Sequence, residues 1–596
     1  SSGALDAAPI PMTDAGFPAY ADFAGSGGPT TGMLLARANC GDENPLVEYQ
    51  LGQGRVIVLG WRLPHYSHAS NAHRANLERL TGNILTYLSD AKQWQKVVVK
   101  LRPGATPESV GVPEPQWKSL ELAIQDLIAT FEQRYPKGGD YLKRLAALRK
   151  THEELLSRVG QSAPPDAQAA PAKAAEAGPE SALFEQLAKV TEAFRQLRYD
   201  ALLDNPLLKF DRLLVIERGA GNLGLPANWE SNSSLSTSGI DNRLCVLSPL
   251  RPDAPLASLY QPPPGRFVGD VDLHFNADRL LFSMPGANGR WQVHELPLGG
   301  RGSAAAADEP RELTLIREPD VDNYDACYLP DGRLLFTSTA PYIGVPCVYG
   351  GSHVTNLYLA DQAGAIRQLT VDQEHNWCPT VLNNGRVLYL RWEYTDLPHA
   401  HSRRLFHMNP DGTGQMEYLS SNSYFPNSFF YARPVPGHPT QVVGIATGHH
   451  GNGRTGRLLI LDPARGRQEA EGVVQEIPGY GKRVEPLIRD QLADGVWPQF
   501  LHPFPLSGKY FLVSAKLTPN SLWGIYLADV FDNLLLLKES PGFALLEPIP
   551  LQKTLTAPSI TDRVDLQRTD AVVYMADVYQ GDGLKGVPRG AVKQLR

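Results

Sequence analysis

The sequence predicts a mainly β protein, a six-bladed β-propeller preceded by an α/β fragment and a helical segment. One observation is an internal repeat between Asp320 and Leu419. Its first copy runs DNYDACYLPDGRLLFTS (Asp322 to Ser338) and its second HNWCPTVLNNGRVLYLR (His375 to Arg391). Each copy is an apolar run, a turn at Asp331-Gly332 or Asn384-Gly385, and a second apolar run. Asp-Gly and Asn-Gly between such runs predict tight hairpins, because both turn residues must reach positive φ. A period of roughly fifty residues with several strands per unit is that of a propeller blade. The second observation is that this unit recurs, weakly, from Asn205 to the C-terminus. The third is composition: 54 Gly and 49 Pro in 596 residues suit a turn-rich all-β chain.

Length argues for several domains, since a single core does not grow to this size. Residues 1–100 read as the α/β fragment. Strand-like runs lie at Gly32 to Asn39 and Leu46 to Trp61, the second turning at Gly52-Gln53-Gly54. A helix is expected from Ala72 to Leu88, with Leu77, Leu80, Ile84 and Leu88 at helical spacing. The segment is similar to the closing hairpin and helix of a glutamine-amidotransferase-like domain. His65, His68 and His73 are metal-ligand candidates or, more simply, part of a polar loop.

Residues 101–204 read as helical. Trp117, Leu120, Ile124, Leu127, Ile128 and Phe131 form one apolar stripe, and Tyr135 to Gly139 breaks it through Pro136, Gly138 and Gly139. Leu142, Leu145, Leu148, Leu155 and Val159 form a second stripe. Leu183, Leu187, Val190, Phe194 and Leu197 form a third. Such stripes are local packing faces or an oligomeric coiled coil. The Ala/Pro-rich stretch 162–178 between them reads as a linker.

Residues 205–596 read as the propeller. Blade strands are expected at Phe210 to Arg218, Gly269 to Met284, the two repeat copies, Ser428 to His450 and Trp497 to Lys516, each with a following strand. Ala571 to Tyr579 is the expected closing strand, pairing near Leu213 to Glu217 so that no long sheet edge is left open.

A net charge of −7 and a pI of about 6.1 do not point to nucleic acid. No apolar run is long enough to span a bilayer. No signal-peptide pattern opens the chain at Ser1-Ser2-Gly3, which reads as a processed or trimmed start. The five cysteines, Cys40, Cys245, Cys327, Cys347 and Cys378, contain no CxxC pair.

NPLLKFDRLLVIER, RFVGDVDLHFNADRLLFSM, DVDNYDACYLPDGRLLFTST, HNWCPTVLNNGRVLYLRWEYTDLPH, GIATGHHG and FLHPFPLSGKYFLVSAK together resemble the hydrazine synthase alpha subunit family. More distantly, the Pro-Asp-Gly turns resemble TolB-like propellers. The resemblance covers about residues 205–596. It implies a propeller middle domain beside c-type haem domains, other protein subunits as partners, and a periplasmic or secreted location. A further domain is expected after Arg596. Covalent haem needs CxxCH, in which two thiols take the vinyl groups and the imidazole takes the iron. That motif is absent from this sequence, so no covalent haem is expected in this chain.

Two sets of polar residues are site candidates. Gly269 to Asp272, Asp322 to Asp325 and His375 to Cys378 are read as equivalent blade positions. They bring Asp270, Asp272, Asp322, Asn323, Asp325, His375, Asn376 and Cys378 toward one channel mouth. Carboxylates there suit calcium, and His375 with Cys378 suits a transition metal. Equally, short polar side chains fix blade turns by bonding backbone. The second set is His399, His401, His449 and His450, on loops of adjacent blades, as transition-metal ligands or as a polar rim. Glu393 and Asp396 form a conceivable acid/base pair for sugar chemistry. No GxSxG, HExxH, P-loop or dinucleotide motif is present. The reading in front is a binding or assembly subunit of a larger extracytoplasmic complex. A metal-dependent redox enzyme or subunit with its site at the propeller mouth, and a glycan-binding or glycan-cleaving propeller, stand behind it.

Overall fold

A computed structural model describes residues 111–162, 179–299 and most of 309–594, together with short strands between residues 13 and 59. Two compact units are present, Ser1–Ala105 and Thr106–Arg596. In the first, Met33–Ala36, Leu46–Leu51 and Gly54–Leu59 form a three-stranded antiparallel sheet, and Leu51 pairs with Gly54 across the expected turn. The expected helix from Ala72 to Leu88, and His65, His68 and His73, lie outside the described residues.

The second unit begins with three helices: α1 (Glu114–Phe131), α2 (Gly138–Ser162) and α3 (Pro179–Leu203). Proline in the first turn of α1 fits a position with no intrahelical N–H partner, and Glu114 there complements the helix dipole. The chain leaves α1 at Glu132, which takes a φ of 45°. Trp117, Leu120, Ile124 and Leu127 of the α1 stripe are enclosed in one core with Leu213, Val215, Tyr510 and Leu527 of the β-sheets, and Ile128 and Phe131 pack half-buried against it. The stripes are therefore packing faces onto the propeller and one another. Burying each such side chain contributes about 1.5–3 kcal/mol. Asn533 Nδ2 donates to the Ser119 carbonyl at 2.9 Å and the Tyr510 hydroxyl to Asp126 at 3.0 Å, which fixes the helix in register.

Six four-stranded antiparallel sheets follow, one per blade. From inner to outer strand, blade 2 is Gly269–Leu273, Arg279–Pro285, Trp291–Pro297 and Arg311–Leu313. Blade 3 is Asn323–Tyr328, Leu334–Ser338, Asn356–Ala360 and Ile366–Gln368. Blade 4 is Asn376–Val381, Val387–Trp392, Arg403–Met408 and Met416–Leu419. Blade 5 is Ser428–Pro434, Val442–Thr447, Arg457–Leu461 and Val473–Ile477. Blade 6 is Gln499–Pro505, Tyr510–Lys516, Gly524–Asp529 and Leu534–Lys538. The repeat turns fall where the sequence puts them. Gly332 and Gly385 have φ of 85° and 83°.

Blade 1 joins the two ends of the ring. Its outer three strands, Leu213–Gly219, Asn242–Leu247 and Leu256–Tyr260, come from the start of the propeller. Its innermost strand is Phe543–Pro550, with Phe543 paired to Gly219 and Pro550 to Leu213. The expected closing strand at Ala571 to Tyr579 is thus corrected: the described residues of that stretch form no strand. Phe543–Pro550 wins because Ala544, Leu545, Leu546 and Ile549 fill the blade core, whereas Val572, Val573 and Met575 are exposed.

After Pro550 the chain crosses the hairpin face as a strap. Thr554 N–H reaches the Phe275 carbonyl at 3.0 Å. Arg333 then clamps Asp562 through two bonds of 2.8 Å. Arg563 and Val564 give their N–H groups to Asp411. Pro558 lies so close to Gly385 that a Cβ there would stand 2.0 Å from its carbonyl oxygen, so this turn glycine also serves a backbone contact.

Candidate functional site in the propeller channel

Every inner strand carries the same irregularity. The pairing to the second strand shifts by a bulge between Leu281 and Ser283, Tyr324 and Cys327, Trp377 and Thr380, Phe430 and Arg433, Leu501 and Phe504, and Leu546 and Ile549. At each bulge one non-glycine residue takes positive φ: Asp270, Asp325, Cys378, Tyr431, His502 and Glu547, all between 47° and 55°. Left-handed backbone is costly for residues other than glycine, and bulges re-aim side chains. Six re-aimed side chains make one ring. Cys378, His502 and Glu547 are followed by proline (Pro379, Pro503, Pro548), and Asp270, Asp325 and Tyr431 by Val271, Ala326 and Ala432. Proline is tolerated because an innermost strand has a free edge.

The ring residues line two chambers. The one toward the hairpin face, about 70 Å3, adds Asp272, Thr380, Arg433, Phe504 and Ile549 to the ring. The other, about 30 Å3, adds Arg218, Phe267, Tyr324, Trp377 and Arg454. A loop between the strands Leu213–Gly219 and Asn242–Leu247 covers this second side. Asn228 bonds the Asn452 carbonyl at 3.0 Å and takes the Arg454 N–H at 2.6 Å. The Trp377 indole donates to the Glu230 carbonyl at 3.0 Å, and Asn232 Nδ2 to Asp270 at 2.6 Å. Ser233 meets the Tyr324 hydroxyl at 3.3 Å. Blade 1 thus supplies a lid tied to blades 2, 3, 4 and 5.

Adjacent blades are stitched through the ring. Glu547 accepts the N–H groups of Asp270 and Val271 at 3.1 and 2.7 Å, and Asp325 accepts that of Cys378 at 2.8 Å. One tier outward, Asp272 accepts the Tyr328 N–H at 3.0 Å. These bonds favour the charged carboxylates, but burial dominates. It raises Asp270, and raises Asp325 and Glu547 further because each also faces the Asp270 charge. Asp272 is pushed up to about 6. His502 is held well below its ordinary value by burial and then by Arg218 and Arg433, so its imidazole is neutral. Its Nδ1 is buried without a hydrogen-bond partner. Burial raises the Cys378 thiol and the Tyr431 hydroxyl, which keeps both protonated.

Of the residues expected at the mouth, the structure brings Asp270, Asp325 and Cys378 into the ring and Asp272 beside it. The register expected from sequence aligned Asp272 with Asp325, whereas Asp270 holds the equivalent bulge. Asp322, Asn323, His375 and Asn376 precede the bulge and join the blades together. Asp322 accepts the Trp291 N–H at 3.0 Å, and Asn323 donates to the Ile316 carbonyl at 3.1 Å. His375 Nδ1 accepts the Thr355 N–H at 3.1 Å, and Asn376 donates to Asp372 at 3.0 Å. Tyr431, His502 and Glu547 were missed in sequence, as were Arg218, Arg433 and Arg454.

Two rim histidines touch, the rings of His449 and His450 having centres 4.2 Å apart, and His401, His449 and His450 each have a protein partner. His401 Nδ1 meets Asn427 Nδ2 at 3.1 Å, His449 contacts the Arg403 guanidinium, and His450 Nδ1 meets Asp490 at 2.9 Å. His399 starts a short 3-10 turn, His399–His401. Among the described residues no group of three or more His, Cys, Asp or Glu is arranged to hold a metal ion. Asp396 lies outside the described residues. Cys327 is buried in the core between blades 3 and 4.

No family model and no curated protein matches this chain. Solved structures do. A hydrazine synthase chain from Kuenenia stuttgartiensis is 13% identical over 59% of this chain, with a TM-score of 0.45. This chain covers 48% of that one, less than half its length. A luciferin-regenerating enzyme is 10% identical over 54% of this chain and 99% of its own, with a TM-score of 0.30. The Hadza microbial sialidase Hz136 is 9% identical over 52% of this chain and 60% of its own, also at 0.30. Membership of the hydrazine synthase alpha subunit family does not follow from similarity at this level. The propeller fold stands on the six sheets themselves.

Proposed function

We propose that this chain is a propeller binding module that takes a small polar ligand into its central channel and acts as a binding and assembly subunit of a larger extracytoplasmic complex. The ring carries the reading. Six inner strands aim six polar or titratable side chains into one enclosed space, where a purely structural channel needs only small or apolar ones. The lid supports it by covering one side of the channel, and the 70 Å3 chamber lies on the other. That space is roughly a handful of waters, which sets the size of the ligand. The assembly part rests on the resemblance to the hydrazine synthase alpha subunit family and on the strap, where Leu555, Leu566, Val572 and Val573 are all more than three-quarters exposed. Exposed apolar side chains in sequence suit a protein partner. No helix among the described residues is long and apolar enough to cross a membrane.

Thermal-shift screening of small amines, carboxylates, amides and sugars against the full chain tests the binding reading. The expected result is a compound that raises the melting temperature of the wild type and loses that effect in Asp325→Asn and Glu547→Gln. Shifts that are all indifferent to both substitutions would overturn it.

A further inference from the structure

We propose that the channel ligand is a small primary ammonium cation, held by the ring carboxylates and the His502 imidazole and bound with release of a proton; this rests on the channel-binding reading above.

The 70 Å3 chamber sets the sign of the ligand. It is lined by four carboxyls, Asp270, Asp272, Asp325 and Glu547, against one guanidinium, Arg433. Arg218 and Arg454 lie on the lid side, where their terminal nitrogens bond lid and blade carbonyls while each Nε is buried without a partner. Arg218 Nη1 donates to the Leu223 carbonyl at 2.7 Å, and its guanidinium lies 4.2 Å from the Phe267 ring centre. Arg454 Nη2 donates to the Glu230 carbonyl at 2.6 Å, and its guanidinium lies 3.8 Å from the Phe430 ring centre. Both steady the ring from behind and offer little to an anion in the larger chamber.

On the side away from the lid, the carboxyls have acceptor capacity left once they are ionised. Each carboxylate has capacity for about four hydrogen bonds. Those observed come from N–H groups of the protein, one or two per carboxyl, and at Asp270 also from the Ser283 hydroxyl. His502 adds an independent sign: a buried nitrogen with no partner, on a neutral ring that borders both chambers. A ligand with three N–H donors and a positive charge meets this set. An anion would face the carboxylates, and a neutral amide would leave their charge unmatched. Tyr431, whose ring centre is 4.3 Å from that of His502, and Phe504 supply aromatic walls for the ammonium and its short alkyl stem.

Proton release follows from the same crowding. Buried carboxyls that repel one another keep protons at a pH where isolated ones would not. A bound cation relieves the repulsion, so the ring gives its proton to the solvent as the ligand enters. Binding then tightens as pH rises through the raised carboxyl range.

Calorimetric titration of the full chain with methylammonium, acetate, acetamide and calcium, each at about pH 6 and about pH 8 in two buffers of different ionisation heat, tests this. Methylammonium is expected to bind, to tighten by about tenfold or more between the two pH values, and to release a proton. Asp325→Asn and Glu547→Gln should each weaken it by about tenfold or more and flatten the pH dependence. Asp272→Asn, one tier outward, is a further variant should the ring substitutions fail to fold, and should weaken binding severalfold. Ring-dependent binding of acetate or acetamide in place of methylammonium would overturn the cation while leaving the channel as a binding site. Ring-dependent calcium binding without methylammonium binding would make the ligand a metal ion and overturn the amine. Binding by none of the four would overturn the ammonium proposal, and a screen of other compounds also blind to the ring would overturn the channel reading with it.

Discussion

The channel ring and the histidine rim are both dense in polar side chains, yet they differ in what those side chains still have to give. On the rim, His401, His449 and His450 each meet a separate protein partner: Asn427, Arg403 and Asp490. In the ring, His502 Nδ1 is buried without a partner, and the carboxyls border a cavity while making fewer hydrogen bonds than their oxygens can take. The rim draws notice through four histidines close in sequence, whereas the ring gathers its polar side chains from six separate strands around a cavity. Closeness in sequence therefore says less about a site than hydrogen-bond accounting in a concave space does.

The largest expected effect concerns whether the ring exists at all. Leu545 and Leu546 are fully buried beside Glu547 in the closing strand. Leu546→Ala should cost about 2–5 kcal/mol in denaturant unfolding, as cavity-forming substitutions do. A chain ended at Thr569 keeps this strand and the strap bonds through Val564, and should melt close to the wild type. A large drop on that truncation, or a small one for Leu546→Ala, would return the closure to the later segment.

Titration gives the next contrast, because ring and rim carboxyls move in opposite directions. Asp325 has a raised value in the fold, so its contribution to stability is complete below the ordinary carboxylate value of 3.8. It is lost as pH rises toward about 8. Asp490 is lowered, first by its hydrogen bonds to His450, so its contribution is present above the ordinary value and lost as pH falls. Melting curves from pH 4 to 9 should show a decline at the alkaline end that flattens in Asp325→Asn. In His450→Ala the alkaline decline should persist, with the change confined to the acid end.

The smallest effects belong to the ion pairs of the rim and the strap. His450→Ala should cost no more than about 1 kcal/mol, since solvent screens its exposed pair, and Arg333→Ala, which removes a largely buried two-bond clamp on Asp562, about 1–2 kcal/mol. Chemical denaturation of either variant checks this. A loss several times larger would mean that the rim or the strap holds the fold more firmly than its exposure implies.

Much of the fold was legible because it is written in local chemistry. The turns at Asp331-Gly332 and Asn384-Gly385 need positive φ, and Trp117 to Leu127 recur at helical spacing around a shared core. The closing strand was misread because Ala571 to Tyr579 has the better strand composition, while FALLEPIP is interrupted by Pro548. An inner edge strand accepts that proline, but only knowledge of the ring makes the position an edge. The site was half legible for a related reason. Asp270, Asp325 and Cys378 stand beside polar neighbours and draw notice. Tyr431, His502 and Glu547 sit in apolar runs, SFFYARP, QFLHPFP and FALLEPIP, that read as plain core. A two-residue alternation cannot register a bulge, so Asp272 was aligned where Asp270 belongs. The usable signal was a large residue, then a polar one, then Pro or Ala, as in Trp377-Cys378-Pro379, Leu501-His502-Pro503 and Leu546-Glu547-Pro548.

The contrast between ring and rim reduces to one side-by-side titration. Methylammonium binding is measured by calorimetry at about pH 8 for wild type, Asp325→Asn and His450→Ala. The ring account predicts that His450→Ala binds as the wild type does and that Asp325→Asn loses about tenfold or more in affinity. Binding retained in Asp325→Asn and lost in His450→Ala would contradict it and move the site to the rim.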